Sequence, residues 1–399
     1  MSDATGEGFG EATRAVHGPP RRVVAQEPLS PPVYRTSTFV LASAAQTADV
    51  FAGRESGWTY SRTDNPTSQA FADAVALLED PSGIAVGQAF GSGMAAITCV
   101  LLALCSAGSH VVAPQEVYGG TWALLSRQLS RFGIETSFID MSDLGAVAGA
   151  LRPDTALIWG EVLANPSMAV ADLPALAALS RDAGIPFVVD ATFSSPVVCR
   201  PLEHGVDLAV HSATKYLGGH SDATGGVVVG AAALVDRVRT VRVDTGAALA
   251  PDEAALLSRG LATLPLRVTR QCRTAAEVAL ALAADPRVLR VDHPSLPSHR
   301  DHDLATRLFR NGLYGAVVTV APQGGREAGM AMIDRLQLVK RATSLGGTTS
   351  KAVHVATTTH LAMDEASLAA AGIEQSAVRV SIGLEDAPDL IADLVQALG

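Results

Sequence analysis

The stretch DLAVHSATKYLGGHSD, Asp207 to Asp222, reads as a short apolar strand that runs into hydroxyls, a lysine and a glycine-rich turn. An apolar run of that length bounded by turn signals is consistent with a strand buried on both faces. The same unit recurs outward from it: GIAVG (83–87), HVVAP (110–114), TSFID (136–140), TALIWGE (155–161) and PFVVD (186–190) read as further buried strands. Helical segments separate them, among them SQAFADAVALLED (68–80), GTWALLSRQLSRFG (120–133) and DLPALAALSRDAG (172–184). That alternation specifies βα units and an α/β fold with a mostly parallel central sheet, whose ligands bind at the carboxyl ends of the strands.

Lys215 stands at such an end, in a chain with 27 arginines and three lysines. A guanidinium cannot form a Schiff base and a desolvated ammonium can, so a lysine kept here points to covalent chemistry; a surface lysine is the alternative. PFVVDATF puts Asp190 at the end of an all-apolar strand. A carboxylate there is costly unless it caps a helix or meets a cation or a protonated ring nitrogen. One cofactor accounts for both residues: pyridoxal 5'-phosphate needs a lysine for its aldehyde and a carboxylate to keep its ring nitrogen protonated, which makes the ring an electron sink.

A phosphate needs an anion site, and FGSGMAAITCVLLALC (90–105) offers one. Gly91 and Gly93 allow a tight turn, and the helix that starts there presents free N–H groups and a positive dipole end. The pattern has neither the GK[ST] of a P-loop nor a full GxGxxG, which sets nucleotides aside. Ser212 and Thr214 can add donors to the same phosphate. Tyr118, in EVYGGT, belongs at the same sheet edge, either as an aromatic packed on a loop or as a ring stacked on the cofactor whose phenol exchanges protons with the substrate.

The remaining features bound the answer. A net charge of −10 with scattered signs lacks the clustered basic face a nucleic-acid partner needs, so small neutral or zwitterionic partners are expected. The opening MSDATGEGFGEATRAVHGPPRR has charge and glycine where a signal peptide is apolar. The longest apolar run, Ala95 to Cys105, is too short to cross a bilayer and reads as a buried helix, so the expectation is a cytoplasmic protein. Cys99, Cys105, Cys199 and Cys272 show no CxxC spacing and read as reduced core residues. HRDH (299–302) is not HExxH and reads as a solvated turn rather than a metal site.

Residues 1–56, rich in Pro, Ser and Thr around PLSPPVYRTSTF (28–39), are expected to form an extended arm packed on a neighbouring subunit. Residues 57–250 are then the large cofactor-binding domain. From 251 to 399, a long helix over Asp252 to Ala284 is followed by GAVVTVAP, AVRVSIGL and a terminal helix, which reads as a smaller α+β domain.

Taken together the motifs YSRTDNPT (60–67), GSGMAAI (91–97), VYGGT (117–121), ANPS (164–167), VVDATF (188–193), SATKYLGGHSD (212–222), SLGG (344–347) and VRVSIGLED (378–386) resemble the pyridoxal-phosphate enzymes of cysteine and methionine metabolism. That family holds cystathionine γ-synthase, cystathionine γ-lyase, methionine γ-lyase and the O-acylhomoserine sulfhydrylases, and the resemblance runs from about Thr13 to the C-terminus. It implies the aspartate-aminotransferase-like fold (fold type I) and a homotetramer built as a dimer of dimers. It puts Lys215 on the Schiff-base lysine, Asp190 on the ring-nitrogen partner, and Gly93, Met94, Ser212 and Thr214 on phosphate contacts. Tyr60 and Arg62 match residues that reach the phosphate in the neighbouring subunit, and Tyr118 matches the stacking tyrosine. Asn165, Ser344 and Arg379 match the substrate-binding side; an arginine in an apolar strand wants an anion, whether a bidentate substrate carboxylate or a core Asp or Glu.

The implied chemistry is γ-elimination on a sulfur-containing or O-acylated homoserine-type amino acid, with Lys215 as base and Tyr118 as acid for the leaving group. γ-Replacement, β-elimination on cysteine or cystathionine, and a catalytically silent cofactor-binding regulator are the alternatives. Departures from the family pattern bear on the substrate. Thr343 and Thr59 stand where cystathionine-processing members have acidic residues, and Gly120 stands where methionine γ-lyases have cysteine. Thr349 replaces a glutamate and Ala191 an asparagine, which together suggest an unusual substrate.

Overall fold

The computed structural model describes residues 26–399 except 360, 362–364, 366, 367 and 369–371. Seven strands form the larger sheet: β1 (Val86–Phe90), β2 (His110–Pro114), β3 (Glu135–Ile139), β4 (Thr155–Glu161), β5 (Phe187–Asp190), β6 (Leu208–Ser212) and β7 (Gly226–Gly230), in the order β1-β7-β6-β5-β4-β2-β3. β3, β2, β4, β5 and β6 are mutually parallel, while β7 is antiparallel to both its neighbours. The parallel core of the sheet is the one the βα alternation specifies.

Two strands differ from the sequence expectation. GIAVG is mostly turn: the Asp80 carboxylate accepts the N–H groups of Ser82, Ile84 and Ala85, so β1 starts only at Val86 and continues to Phe90. β7, the valine run GVVVG, follows so closely on the lysine turn that it reads as part of the same loop, yet it inserts between β1 and β6.

Helices cover both faces. Pro66–Glu79 is capped by Asn65, whose Oδ1 accepts the Thr67 N–H at 2.8 Å. Leu173–Ala183 is capped by Asp172 and ends on left-handed Gly184. The expected single helix over Asp252–Ala284 is two, Pro251–Leu261 and Leu264–Ala283, with Pro265 in the first turn of the second. A proline cannot donate into a preceding turn, so the break falls there. The 120–133 segment is helical but changes from α to a wide turn at Leu124–Gln128 and a tight one at Leu129–Phe132.

The second sheet is β8 (Val288–Asp292), β9 (Val317–Pro322), β10 (Lys340–Arg341), β11 (Lys351–His354) and β12 (Val378–Ser381), ordered β10-β11-β12-β9-β8 and antiparallel except for β10 with β11. β9 and β12 are the two strands read from sequence. Phe71, Trp159 and Phe187 are fully buried in the core, where truncation to alanine costs about 3–5 kcal/mol each.

The chain falls into two units, Met1–Val33 and Tyr34–Gly399. Of the expected arm, residues 1–25 lie outside the described residues, and 26–33 are exposed. Within the second unit, Ala44–Phe51 is helical, with Ser43 Oγ accepting the Gln46 N–H; the expected extended segment therefore contains a short helix. The four cysteines are free and buried. HRDH is not solvated throughout: His299 is buried, and His302 stacks on Tyr314 with ring centroids 5.7 Å apart. Among the described residues there is no helix long and apolar enough to cross a membrane, and no group of three or more His, Cys, Asp or Glu suited to a metal.

Candidate active site

The carboxyl ends of β4, β5 and β6 carry Glu161, Asp190 and Ser212, and these open into one cavity of about 510 Å³. The turn after β6 delivers Lys215 into it. Lys215 Nζ donates to Ser344 Oγ at 2.7 Å, and burial, aided by the Arg379 and Lys351 charges, lowers its ammonium to about 8. A fraction of neutral amine is thus present near neutral pH, as a nucleophile or base requires.

Asp190 Oδ1 accepts the Thr192 N–H at 2.9 Å. Burial raises its carboxyl, and the Thr192 hydrogen bonds and nearby His211 pull it back toward the charged form. His211, on β6, is buried against helix Pro66–Glu79, with Nε2 2.6 Å from Glu79 Oε1. Beside the strand ends, helix Gly93–Leu104 begins. Ser92 Oγ caps it by accepting the Ala95 N–H at 3.0 Å, which leaves the N–H groups of Gly93 and Met94 without intrahelical acceptors.

A Cβ on Gly93 would lie 2.7 Å from Ser212 Cβ. Gly93 is therefore needed for close approach to β6 and not for a left-handed backbone; neither it nor Gly91 has positive φ. The turn from β1 into the helix is only two residues long, Gly91 and Ser92, and needs no left-handed residue. The resulting concavity of helix N–H groups and the Ser212 hydroxyl suits a phosphate. The Thr214 hydroxyl lines the cavity but is engaged with Gly225, accepting its N–H at 3.0 Å and donating to its carbonyl at 3.3 Å.

At the opposite wall, β12 presents Arg379. Its Nη1 donates to Asn165 Oδ1 and its Nη2 to the Ser344 carbonyl, each at 3.1 Å, while its buried Nε has no acceptor. Among the described residues Arg379 has no salt bridge to an Asp or Glu, and burial lowers its guanidinium to about 10. Among the described residues, then, nothing supports the core-pairing alternative for this arginine. Ser344, which touches both Lys215 and Arg379, has φ 76, a strained conformation for a residue with a Cβ and one that recurs at functional sites.

Tyr118 sits at the cavity mouth, half exposed, its backbone N–H donating to Glu161 Oε1 at 2.7 Å. Its ring rests over Gly120, where a Cβ would lie 2.6 Å from Tyr118 Cε1. Thr343 lines the cavity as well. Tyr60 and Arg62 do not: they lie outside it, with the guanidinium 5.7 Å from the Tyr60 ring centroid and Nη1 donating to the Val243 carbonyl at 2.6 Å. Sequence reasoning missed Glu161 and Thr192. Glu161 ends an apolar strand as Asp190 does and was open to the same argument.

Comparison with known proteins agrees with this geometry. The model of the Cys/Met metabolism PLP-dependent enzymes matches residues 12–399. The chain belongs to that family. Its cofactor is pyridoxal 5'-phosphate, and it is an enzyme of lyase or transferase type. This family member is 42% identical over 391 residues to an L-methionine gamma-lyase of Pseudomonas putida, covering 98% of this chain and 97% of that one. It is 39% identical over 393 residues to a cystathionine gamma-synthase of Mycobacterium tuberculosis, with the same coverage.

Among solved structures it resembles a chain described as an O-acetylhomoserine (thiol)-lyase from Campylobacter jejuni, which carries N'-pyridoxyl-lysine-5'-monophosphate. The TM-score is 0.89 at 32% identity, over 98% of this chain and 100% of that one. A cystathionine gamma-lyase from Lactobacillus plantarum complexed with L-serine gives 0.85 at 36% identity, over 92% of each. The resemblance to fold type I read from the motifs holds across the family member's sheet order and its relatives alike.

Proposed function

We propose that this enzyme catalyses γ-elimination from a methionine- or homoserine-type amino acid whose distal group is uncharged. The observation that carries this reading is the charge distribution of the cavity. Its only charged lining residues, among those described, are Glu161, Asp190, Lys215 and Arg379. Asp190 and Glu161 stand at the strand ends beside Lys215, and Arg379 answers the substrate carboxylate. Among the described residues no further charge is left for a distal ammonium such as that of cystathionine, in keeping with Thr343 and Thr59 at positions where cystathionine-processing relatives have acids.

The residues fit the cofactor: a desolvated lysine, a buried carboxylate and a helix N-terminus face one cavity. Lys215 and Asp190 would hold its two ends, with Gly93, Met94, Ser212 and Thr214 around the phosphate. When bound, pyridoxal phosphate supplies an electron sink adjacent to the substrate's α carbon.

The protein's own contributions follow from geometry. Arg379, steadied by Asn165 and the Ser344 carbonyl, clamps the carboxylate and so orients the α C–H toward Lys215. Lys215, its basicity set by burial, removes the α proton and, once it has passed that proton on, a β proton, whose bonding pair forms the β–γ double bond as the γ group leaves. Ser344 aligns Nζ through its hydroxyl. Tyr118, at the mouth above Gly120, donates a proton to the departing γ group.

Tyr60 and Arg62, lying outside their own chain's cavity, reach the phosphate of a neighbouring subunit, and the exposed Val40, Phe51 and Tyr60 support burial of this region in a dimer that pairs again as a tetramer. The division of 57–250 from 251–399 is supported by the two separate sheets, β1–β7 before it and β8–β12 after it.

The test is to incubate the purified protein with L-methionine, L-homocysteine, cystathionine and O-acylhomoserines, each with and without added thiol, and to identify products. 2-Oxobutyrate from methionine or homocysteine, with cystathionine poor, is the expected result. A new thioether as main product would replace elimination with γ-replacement, pyruvate would indicate β-elimination, and no turnover of any would overturn the assignment.

A further inference from the structure

Asp190 does not stand alone at the sheet edge. Glu161 is its in-register partner, one strand over on β4, and both line the cavity. Glu161 is 8% exposed, and its Oε1 accepts the Tyr118 N–H. No cation faces it among the described residues. The carboxylates around it are Asp190 and Glu116, and burial and these two charges drive its carboxyl well above the ordinary range, against one opposing hydrogen bond from Tyr118. Burial raises the Asp190 carboxyl too, but there the Thr192 hydrogen bonds and His211 oppose it and favour the anion. Two adjacent buried carboxyls cannot both ionise at modest cost, so one proton is retained, and the surroundings allot it to Glu161.

We propose that Glu161 is a positioning residue that works as a neutral acid, leaving the single negative charge of the pair on Asp190 while holding the Tyr118 loop to the end of β4. This rests on the reading of Asp190 as the partner of the cofactor ring nitrogen. A second ionised carboxylate would repel Asp190 and shift charge off the group that must hold it. A neutral one keeps the hydrogen bond to Tyr118 and leaves Asp190 as the sole anion. The same residue thereby joins the floor of the site to the aromatic side chain at its mouth.

The assay is isotope-edited infrared spectroscopy of the full chain with labelled glutamate, with and without pyridoxal phosphate, from pH 6 to 8.5, alongside cofactor affinity of three variants. A protonated carboxyl band present in the wild type and missing from Glu161→Gln is expected. Glu161→Ala should weaken cofactor binding roughly tenfold, with Glu161→Gln restoring it to within about threefold of wild type, while Asp190→Asn loses it. A carboxylate band for Glu161 across this range, or failure of the glutamine to restore what the alanine loses, overturns the proposal. If Glu161→Ala does not fold, the infrared comparison decides alone. Failure of the wild type to bind pyridoxal phosphate would strike the functional reading instead, since the location of the proton is measured without the cofactor.

Discussion

Replacing Arg379 by methionine separates a substrate-binding role from a structural one. Burial lowers the guanidinium from its ordinary value to about 10, which corresponds to about 3 kcal/mol of unfavourable burial of the charge. Hydrogen bonds to Asn165 Oδ1 and the Ser344 carbonyl return about 1.5 kcal/mol each, the low end for charged donors. The two contributions nearly cancel, so Arg379→Met should change unfolding free energy by no more than about 2 kcal/mol, as replacement of buried charge by apolar bulk often does.

The substrate carboxylate, however, loses two charge-assisted hydrogen bonds, about 3–6 kcal/mol, or roughly 10²- to 10⁴-fold in kcat/KM. Urea unfolding and steady-state kinetics on the same preparation test both halves. A variant destabilised by about 4 kcal/mol or more with kcat/KM within tenfold of wild type would refute the reasoning, because that is the signature of a broken structural pair.

Three further outcomes follow from the same geometry. With Lys215 at about 8 in the folded chain and about 10.4 unfolded, the unfolded state binds more protons between those values. The cofactor-free wild type should therefore gain about 3 kcal/mol relative to Lys215→Met as pH rises through that window; equal slopes in urea titrations would contradict the lowered value. Gly120→Cys puts a Cβ against the Tyr118 ring and should lower kcat/KM roughly tenfold or more through displacement of that ring, with the unfolding midpoint little changed; unaltered kinetics would show that Tyr118 is not held there. Mixing Lys215→Ala with Arg62→Ala chains under exchange should restore about a quarter of wild-type activity, as random pairing of a two-fold shared site requires; activity no higher than either variant alone would place Arg62 outside the partner's site.

How much of this could be read from sequence depends on where each signal sits. Lys215, Asp190 and the Gly93 helix start were legible because each ends an apolar strand or opens an apolar helix, and such places are costly for polar groups without a purpose. Lysine scarcity sharpened the first of these. β1 and β7 were not, because β1 is displaced by the Asp80 turn and β7 is defined by its antiparallel neighbours rather than by any helix before it. The break before Leu264 was visible in Pro265 but hidden by the strong helical composition around it. The absence of an acid beside Arg379 among the described residues and the pairing of Glu161 with Asp190 are tertiary facts: the first needs β12 set against Asn165, the second needs the register of β4 on β5. Tyr60 and Arg62 carry no signal of their own, since an exposed aromatic and arginine on a loop fit many roles.

The central claim is that Lys215 anchors the cofactor. Borohydride reduction of the protein with pyridoxal phosphate, followed by proteolysis and mass spectrometry, reads the attachment site directly. The pyridoxyl group should appear on the peptide containing SATKYLGG and be absent from the Lys215→Ala protein; its appearance on Lys340 or Lys351, or its persistence in Lys215→Ala, would contradict the account.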